Sequence, residues 1–430
     1  MQRWRGTFIG CLLGSIISTG VYADSVTVVL GPFTAPAKGM FSRIDVFSVP
    51  LTPPYWIKGF EVEVVDANGT PLEHDVVHLH HTLVGNLARQ SLPGSVWGSF
   101  YEIFMGTGHE LVPVHFPDGY GYYIAPGDML AYQVEIMSMT GADVPGVYIL
   151  YHIEYTYQPQ RHVRPFWMSA VSGFEYNVPP GGNRGNGEDI RSRQWTMPVS
   201  GRIFGLLPHL HEGGQWVELR RASDELIWRA EAFYHGNHLH LTYWSDPQGV
   251  PVSQGERLTV RALYLNPGPG WLYGAMALMV AMIHAPITLQ GRVALEHYNG
   301  NPAQVTGTLQ TLLPNSPTVV EEWSISLTST GEFTVQPLRP GTYDVAIKGR
   351  HFLRRVVRNV SLSDGQTTQI QVTLINGDVN DDNRIDDSDL LAVLFAFGTQ
   401  GASPADITGD GRVDDSDLLV VLFNFGQVGE

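Results

Sequence analysis

The stretch HDVVHLHH, residues 74–81, places four of the chain's sixteen histidines within eight positions. A second group, PHLHEGG at 208–214, adds His209 and His211. On an extended strand residues i and i+2 share a face, so His78 with His80, and His209 with His211, can each present two imidazoles to one ion. An ordinary imidazole, with a pKa of about 6.5, is largely neutral at physiological pH and has a lone pair to donate. One such pair alone reads as structural; two in the same chain point to a metal. A methionine-rich stretch, WLYGAMALMVAMIHAP at 271–286, narrows the choice. Thioether sulfur is a poor ligand for zinc and a good one for Cu(I), while imidazole suits copper in both oxidation states. Met279 and Met282 read as core packing, Met276 as a candidate ligand. His235, His238 and His240, in YHGNHLH, are candidates for an outer or additional metal group. His109, His115, His152, His284, His297 and His351 read as structural or surface residues.

A different chemistry is spelled at the C-terminus. GDVNDDNRIDDSDLLAVLFAFG is echoed after 28 residues by ADITGDGRVDDSDLLVVLFNFG. Calcium loops need oxygen ligands at positions 1, 3, 5, 7, 9 and 12, the seventh from a backbone carbonyl. In the first copy these are Asp378, Asn380, Asp382, the Arg384 carbonyl, Asp386 and Asp389. In the second they are Asp406, Thr408, Asp410, the Arg412 carbonyl, Asp414 and Asp417. Acids at this spacing, twice, argue for calcium rather than a merely solvated acidic tail. Each loop runs into an apolar helix, as the packing of two helices requires.

The elements that position these groups are mostly β. From Asp24 to about Pro286 the chain alternates apolar and polar residues in short runs such as GFEVEVVD and GERLTVRALYL. Turn residues every eight to twelve positions mark β-sandwiches. This region is too long for one sandwich, and YQPQRHVRP near 157–165 is the candidate join between two. We read residues 24–160 and 161–287 as two β-sandwich domains, which the copper-enzyme resemblance given below implies to be jelly rolls that each hold copper. Residues 288–375 read as a small β-sandwich spacer, and 376–430 as a small α-helical calcium repeat.

Charge and composition exclude other classes. Of the formal net charge of −16, the segment 376–430 carries −10, from twelve acids and two arginines. The remainder has no basic stripe, which argues against a nucleic-acid partner. Arg3 and Arg5, the apolar run Phe8–Ile17 and the small residues before Asp24 read as a secretory signal cleaved after Ala23. No later run approaches the roughly 18 apolar residues of a membrane span. Cleavage removes Cys11, the chain's one cysteine, so a secreted protein would use metal, calcium and packing instead of disulfides.

Three resemblances follow from these motifs. Residues 376–430 resemble a type I dockerin, with Thr408 departing from the usual Asn at position three. The resemblance implies docking to a cohesin-like extracellular protein, read through Asp387-Ser388 and Asp415-Ser416. Residues 288–375 resemble the prealbumin-like modules of secreted multidomain proteins. Residues 40 to 287 resemble the copper type II, ascorbate-dependent monooxygenases, through His80-His81 in VHLHHTLVGN, His209 and His211 in HLHEGG, and Met276 in GAMAL. That family's pattern implies two mononuclear coppers. The oxygen-activating site would be His209, His211 and Met276. The electron-handling site would use His80 and His81, with Glu135 in YQVEI standing where the family has a third histidine and His78 available to substitute. Leu207 stands where the amidating branch carries a carboxylate-binding arginine, which argues against a peptidyl-glycine substrate. The expected function is a secreted copper-dependent oxidoreductase that hydroxylates a C–H bond of an unknown organic substrate with O2 and an external reductant. The alternative is a non-catalytic copper- or surface-binding double jelly roll of an extracellular assembly.

Overall fold

A computed structural model describes residues 24–430, apart from 50, 99, 109, 111, 112, 236 and 237. The expected signal segment, Cys11 and His109 lie outside the described residues. The fold is mostly β, with two α-helices among the described residues, both in the C-terminal tail. The chain forms two compact units, divided between Ala285 and Pro286.

In the first unit, one sheet runs in the order Asp24–Ala35, Val144–Thr156, Tyr55–Val65, Tyr120–Ile124 and Arg161–His162. A second runs Phe41–Phe47, Leu130–Ser138, Val77–Gln90 and Tyr101–Thr107. Val28, Leu30, Val77, Leu79, Val84, Val134, Ile149 and Tyr151 lie in one apolar core shared by these sheets. A third sheet runs Arg164–Ser169, Leu272–His284, Gly201–Leu210 and Trp244–Val252. The fourth runs Glu188–Thr196, Arg257–Leu265, Gly214–Arg221 and Leu226–Glu231. Val217, Leu219, Val260, Tyr264 and Met279 belong to a second core. The chain crosses from the first pair of sheets to the second at Val163, inside the stretch expected to join them.

The strand Leu272–His284 explains its own composition. Ala277, Met279, Ala281 and Ile283 point into the second core, while Leu278, Val280 and Met282 join the first. A strand covered on both faces reads as a continuous apolar run, because neither side meets water. Its neighbour Gly201–Leu210 divides likewise, Leu206 into the second core and Leu207 into the first.

The second unit holds a three-stranded sheet, a four-stranded sheet and the tail. Its sandwich core includes Leu289, Leu309, Ile347 and Leu374. Strand His351–Phe352 pairs with Asn376–Asp378, tying the sandwich to the first loop of the tail. Helices α1, Asp387–Ala396, and α2, Asp415–Phe423, begin with aspartate caps, Asp386 and Asp414. In both caps, Asp389 and Asp417 reach back to the cap's own backbone N–H, satisfying donors that helix starts leave open.

Candidate metal centre

The strand Val77–Gln90 carries the histidine run through a local irregularity. Leu79 pairs with Ile136 and His81 with Glu135, so His80 is an extra residue with no partner of its own. Successive residues on a regular strand point to opposite faces, which would separate His80 from His81. A bulge resets that alternation. Val77 and Leu79 are buried before it and Thr82 and Val84 after it, leaving His78, His80 and His81 on the same half-buried side. Both His80 and His81 therefore reach Glu135: their Nδ1–H groups donate to Oε2 at 3.3 and 3.1 Å.

The HxH motif arrives from the Gly201–Leu210 strand. His209 pairs with Leu278 across the sheet, so its side chain lies on the face of Leu207, Leu278 and Val280. His209 Nδ1–H donates to Glu110 Oε1 at 2.6 Å, and His211 Nδ1–H donates to the Gly274 carbonyl at 2.6 Å. Gly274 adopts φ +67°, a conformation in which glycine lacks the penalty of a side chain. The Tyr264 hydroxyl, fully buried, accepts from the His211 backbone N–H at 2.9 Å and donates to the Met276 carbonyl. It thereby holds the end of the HxH segment in step with the methionine strand.

These two histidine sets meet. His81 Nε2 lies 3.2 Å from His209 Nε2 and 3.2 Å from His211 Nε2. Ligand nitrogens of His80, His81 and His211 all fall within 4.8 Å of one another. Because carboxylates and carbonyls only accept, Glu135, Glu110 and Gly274 fix the proton of each of His81, His209 and His211 on Nδ1. The Nε2 atoms of His209 and His211 are then both turned toward His81 Nε2. Burial pulls His81 down to about 4, Glu135 opposing and His209 and His80 reinforcing it. Burial pulls His211 to about 2, with His209, His81 and His80 adding to it. Hydrogen bonds from His80 first, and then His81, hold the Glu135 carboxyl well below the usual carboxylate range. His81 and His211 are thus neutral imidazoles, and the ionised Glu135 carboxylate stands behind His81, as acceptors stand behind metal-ligating histidines generally.

The residues expected for two separate copper sites lie against one another. His81 lies against both His209 and His211, because the bulge turns it toward the second pair of sheets. Glu135 stands behind the imidazoles, at their Nδ1 atoms. His78 is held elsewhere, 2.9 Å from His74 between Nδ1 atoms. Met276 lines the same cavity as His81, His209 and Glu135, with 7% of its surface exposed. That cavity, about 210 Å³, is walled on its apolar side by Trp97, Trp167, Phe174, Leu207, Leu278 and Val280. Met279 and Met282 are buried in the cores. Sequence reading missed Glu110, Gly274 and Tyr264, since a carboxylate in a loop, a glycine and a strand tyrosine carry no motif of their own. His115, His152 and His284 make ordinary local contacts, with Glu154, Glu63 and the His162 carbonyl.

In the tail, both acidic loops are wound as oxygen cradles. At loop position six, Asn383 and Gly411 take φ of +71° and +90°, as the sharp turn of a calcium loop requires. Asp378 Oδ2 accepts from Asn383 N–H at 3.0 Å and from Lys348 Nζ at 2.8 Å. Its other oxygen, Oδ1, is buried with no hydrogen-bond partner, and so is Thr408 Oγ1. These atoms are ligand positions one and three, and buried oxygens left unpaired in a loop of acids fit an oxygen-seeking cation. Asp389 Oδ1 accepts from Val379 N–H at 2.7 Å, and Asp417 Oδ1 from Thr408 N–H at 2.9 Å. The helices pack through Val393, Val420 and Val421, as expected, but leave an apolar face outward. Leu391, Leu394, Phe395 and Phe397 are exposed, and so are their repeat partners Leu419, Leu422, Phe423 and Phe425. Asp387, Ser388, Asp415 and Ser416 are exposed at the helix starts.

No described protein family matches the chain, and no curated protein is significantly similar to it. Among solved structures, a mutant type II cohesin–X–dockerin complex from Acetivibrio cellulolyticus is 22% identical, covering 33% of this chain and 97% of that one, with a TM-score of 0.28. The pilus backbone RrgB of Streptococcus pneumoniae is 6% identical over 81% of this chain and 93% of its own, with a TM-score of 0.20. The major pilin subunit BcpA of Bacillus cereus is 7% identical over 74% and 95%, with a TM-score of 0.18. At such scores they assign neither a family nor a function. No helix among the described residues is long and apolar enough to cross a membrane.

Proposed function

We propose that the first unit is a secreted copper-dependent oxidoreductase, monooxygenase-like in chemistry, that oxidises a small, largely apolar organic molecule. One observation carries the reading: His81 Nε2 lies 3.2 Å from His209 Nε2 and 3.2 Å from His211 Nε2, while the Nδ1–H of each of the three is tied to an acceptor. Three imidazoles with a thioether nearby suit copper in both oxidation states. Copper bound there would supply one-electron chemistry with O2 and an external reductant, inserting one oxygen into a C–H bond and releasing the other as water. The chain's own part is positioning. Glu135, Glu110 and the Gly274 carbonyl orient the imidazoles, and Trp97, Trp167 and Phe174 form an apolar wall that excludes water from a bound substrate. A dry cavity of about 150 Å³ accepts benzene, so a space of 210 Å³ has room for a substituted ring or a short branched chain.

Metal analysis of protein loaded with Cu(II), followed by turnover with ascorbate, O2 and small aromatic or aliphatic probes, tests this reading. One copper per centre and hydroxylated product are expected, both abolished by His209→Asn with His211→Asn. Copper binding without product under any reductant would leave the second reading, a non-catalytic copper-binding protein.

For the tail we propose calcium in both loops and a cohesin-like partner in an extracellular assembly. Support comes from the unpaired Asp378 and Thr408 oxygens, and from apolar side chains exposed at matching positions of both repeats. Calorimetric calcium titration of the full chain should show two sites. Absence of binding up to millimolar calcium removes this part of the proposal.

A further inference from the structure

The sheet that carries His80, His81 and Glu135 ends on the strand Phe41–Phe47. That strand pairs with Leu130–Ser138 from Phe41 opposite Ile136 to Phe47 opposite Leu130, with no bulge. Its other side meets no strand among the described residues. Unpaired edges invite other chains, and proteins blunt them with proline, bulges or inward-pointing charge. Other edges of the first unit are blunted: Asp24–Ala35 breaks register twice, and Trp244–Val252 carries Pro247 and Pro251. Phe41–Phe47, reading FSRIDVF, holds no proline and no bulge. Met40, just before it, and Ile44 and Val46 within it are 45%, 54% and 51% exposed. Phe41 and Phe47 pack against the first core, and the Arg43 guanidinium lies 5.9 Å above the ring of Phe33. Arg43 Nη2 donates to Asp45 Oδ1 at 2.7 Å, so both charges share that core-side face. Ser42, whose hydroxyl donates to Glu135 Oε1 at 3.4 Å, shares the opposite face with Ile44 and Val46.

We propose that this edge is a self-association surface. Two copies of the chain pair their Phe41–Phe47 strands antiparallel about a two-fold axis at Ile44, joining two four-stranded sheets into one. The strand is complementary to itself in that register. Ile44 falls opposite Ile44 of the second copy, Arg43 opposite Asp45, Ser42 opposite Val46, and Phe41 opposite Phe47. Core-side residues meet core-side residues, so each face continues across the junction. A lone inward charge guards an edge, because an incoming strand leaves it unpaired. Here two charges of opposite sign flank the centre at equal distance, so an antiparallel copy sets each beside its counterion. A shift of two residues, the smallest that keeps the faces matched, sets Asp45 against Asp45 or Arg43 against Arg43. A parallel copy in register does both. Like charges directly opposite one another destabilise a strand pair, so the charges that admit this register reject its neighbours. With seven strand residues a side, against the roughly 20–30 of a standard interface, the dimer is a weak one. The inference stands independently of the oxidoreductase reading, since it needs neither metal nor turnover.

Sedimentation equilibrium of the full chain, carried up to about 100 µM because the interface is small, tests the proposal. A monomer–dimer equilibrium is expected. Arg43→Asp and Asp45→Arg each place like charges opposite one another at both pairs, and each variant should be monomeric. Mixed together, the two variants should dimerise, because every charge then meets its opposite across the junction. The double variant with both substitutions should dimerise on its own. Association through the exposed tail helices would ignore these charges. A wild type that stays monomeric, or single variants that still dimerise, would overturn the proposal. So would single variants, folded by circular dichroism, that remain monomeric when mixed, and so would growth beyond a dimer, because a two-fold pairing of edges is closed.

Discussion

Met276, Met279 and Met282 lie within seven positions of one strand, yet their surroundings divide them. Met279 is wholly buried in the second core and Met282 in the first, whereas Met276 lines the histidine cavity. Met279→Ala should cost about 2–5 kcal/mol of stability, the range for deleting a buried side chain of that size. It should leave copper affinity unchanged. Met276→Ala should weaken Cu(I), the state that benefits from a soft donor, while Cu(II) stays with the histidines. Competition with a Cu(I) chelator on both variants, beside chemical denaturation, separates the two effects. Equal Cu(I) affinity for Met276→Ala and wild type would exclude the thioether from the centre. Glu135 acts at the same scale from behind the imidazoles. Removing a carboxylate that orients ligating histidines typically costs 10–100-fold in metal affinity. Glu135→Gln should fall in that range, and unchanged affinity would detach Glu135 from the metal.

At the scale of elements, the centre depends on how strands are held in register. The Tyr264 hydroxyl bridges the His211 N–H and the Met276 carbonyl inside the second core. Tyr264→Phe leaves both backbone groups buried without that partner, a cost of about 1–3 kcal/mol. Copper affinity should fall together with stability, because the segment carrying His211 loses its tie to the methionine strand. Full retention of both would show that the bridge is dispensable. In the tail, the second loop allows a cleaner separation. Thr408 is buried and its hydroxyl has no partner. Thr408→Val keeps the shape and deletes that oxygen. The calcium-free fold should be no less stable, since an unpaired polar atom has been removed, while calcium affinity at the second loop falls. Isothermal titration reads the affinity and calcium-free melting the stability; undiminished binding would take Thr408 out of the ligand set.

For the whole molecule, two compact units, for which different metals are proposed, predict two separable unfolding events. A ligand that binds only the folded state stabilises it by RT ln(1 + [L]/Kd), about 2.7 kcal/mol at a hundredfold excess over Kd. Copper should raise the transition of the unit ending at Ala285, and calcium that of the unit beginning at Pro286. Calorimetry with each metal alone provides the test. A single transition moved equally by both metals would contradict independent units.

The β character of residues 24 to 375 was legible because alternation with period two and regularly spaced turn residues report directly on half-buried strands. The turn geometry of the acidic loops was legible because their acids lie within twelve consecutive positions, where spacing alone dictates geometry. The histidine motifs named the imidazoles but not which of them meet. HLHH read as an unbroken strand puts His80 and His81 on opposite faces, and only the bulge at His80, set by pairing with the Leu130–Ser138 strand, turns both to one side. Whether His81 joins His80 or the distant HxH pair depends on which sheets pack together, and packing depends on faces that span the whole first unit. Glu110 and the Gly274 carbonyl were hidden for the same reason. Local sequence determines what a residue offers; long-range strand pairing decides what it meets, since contacts separated by more than a hundred residues leave no spacing to read.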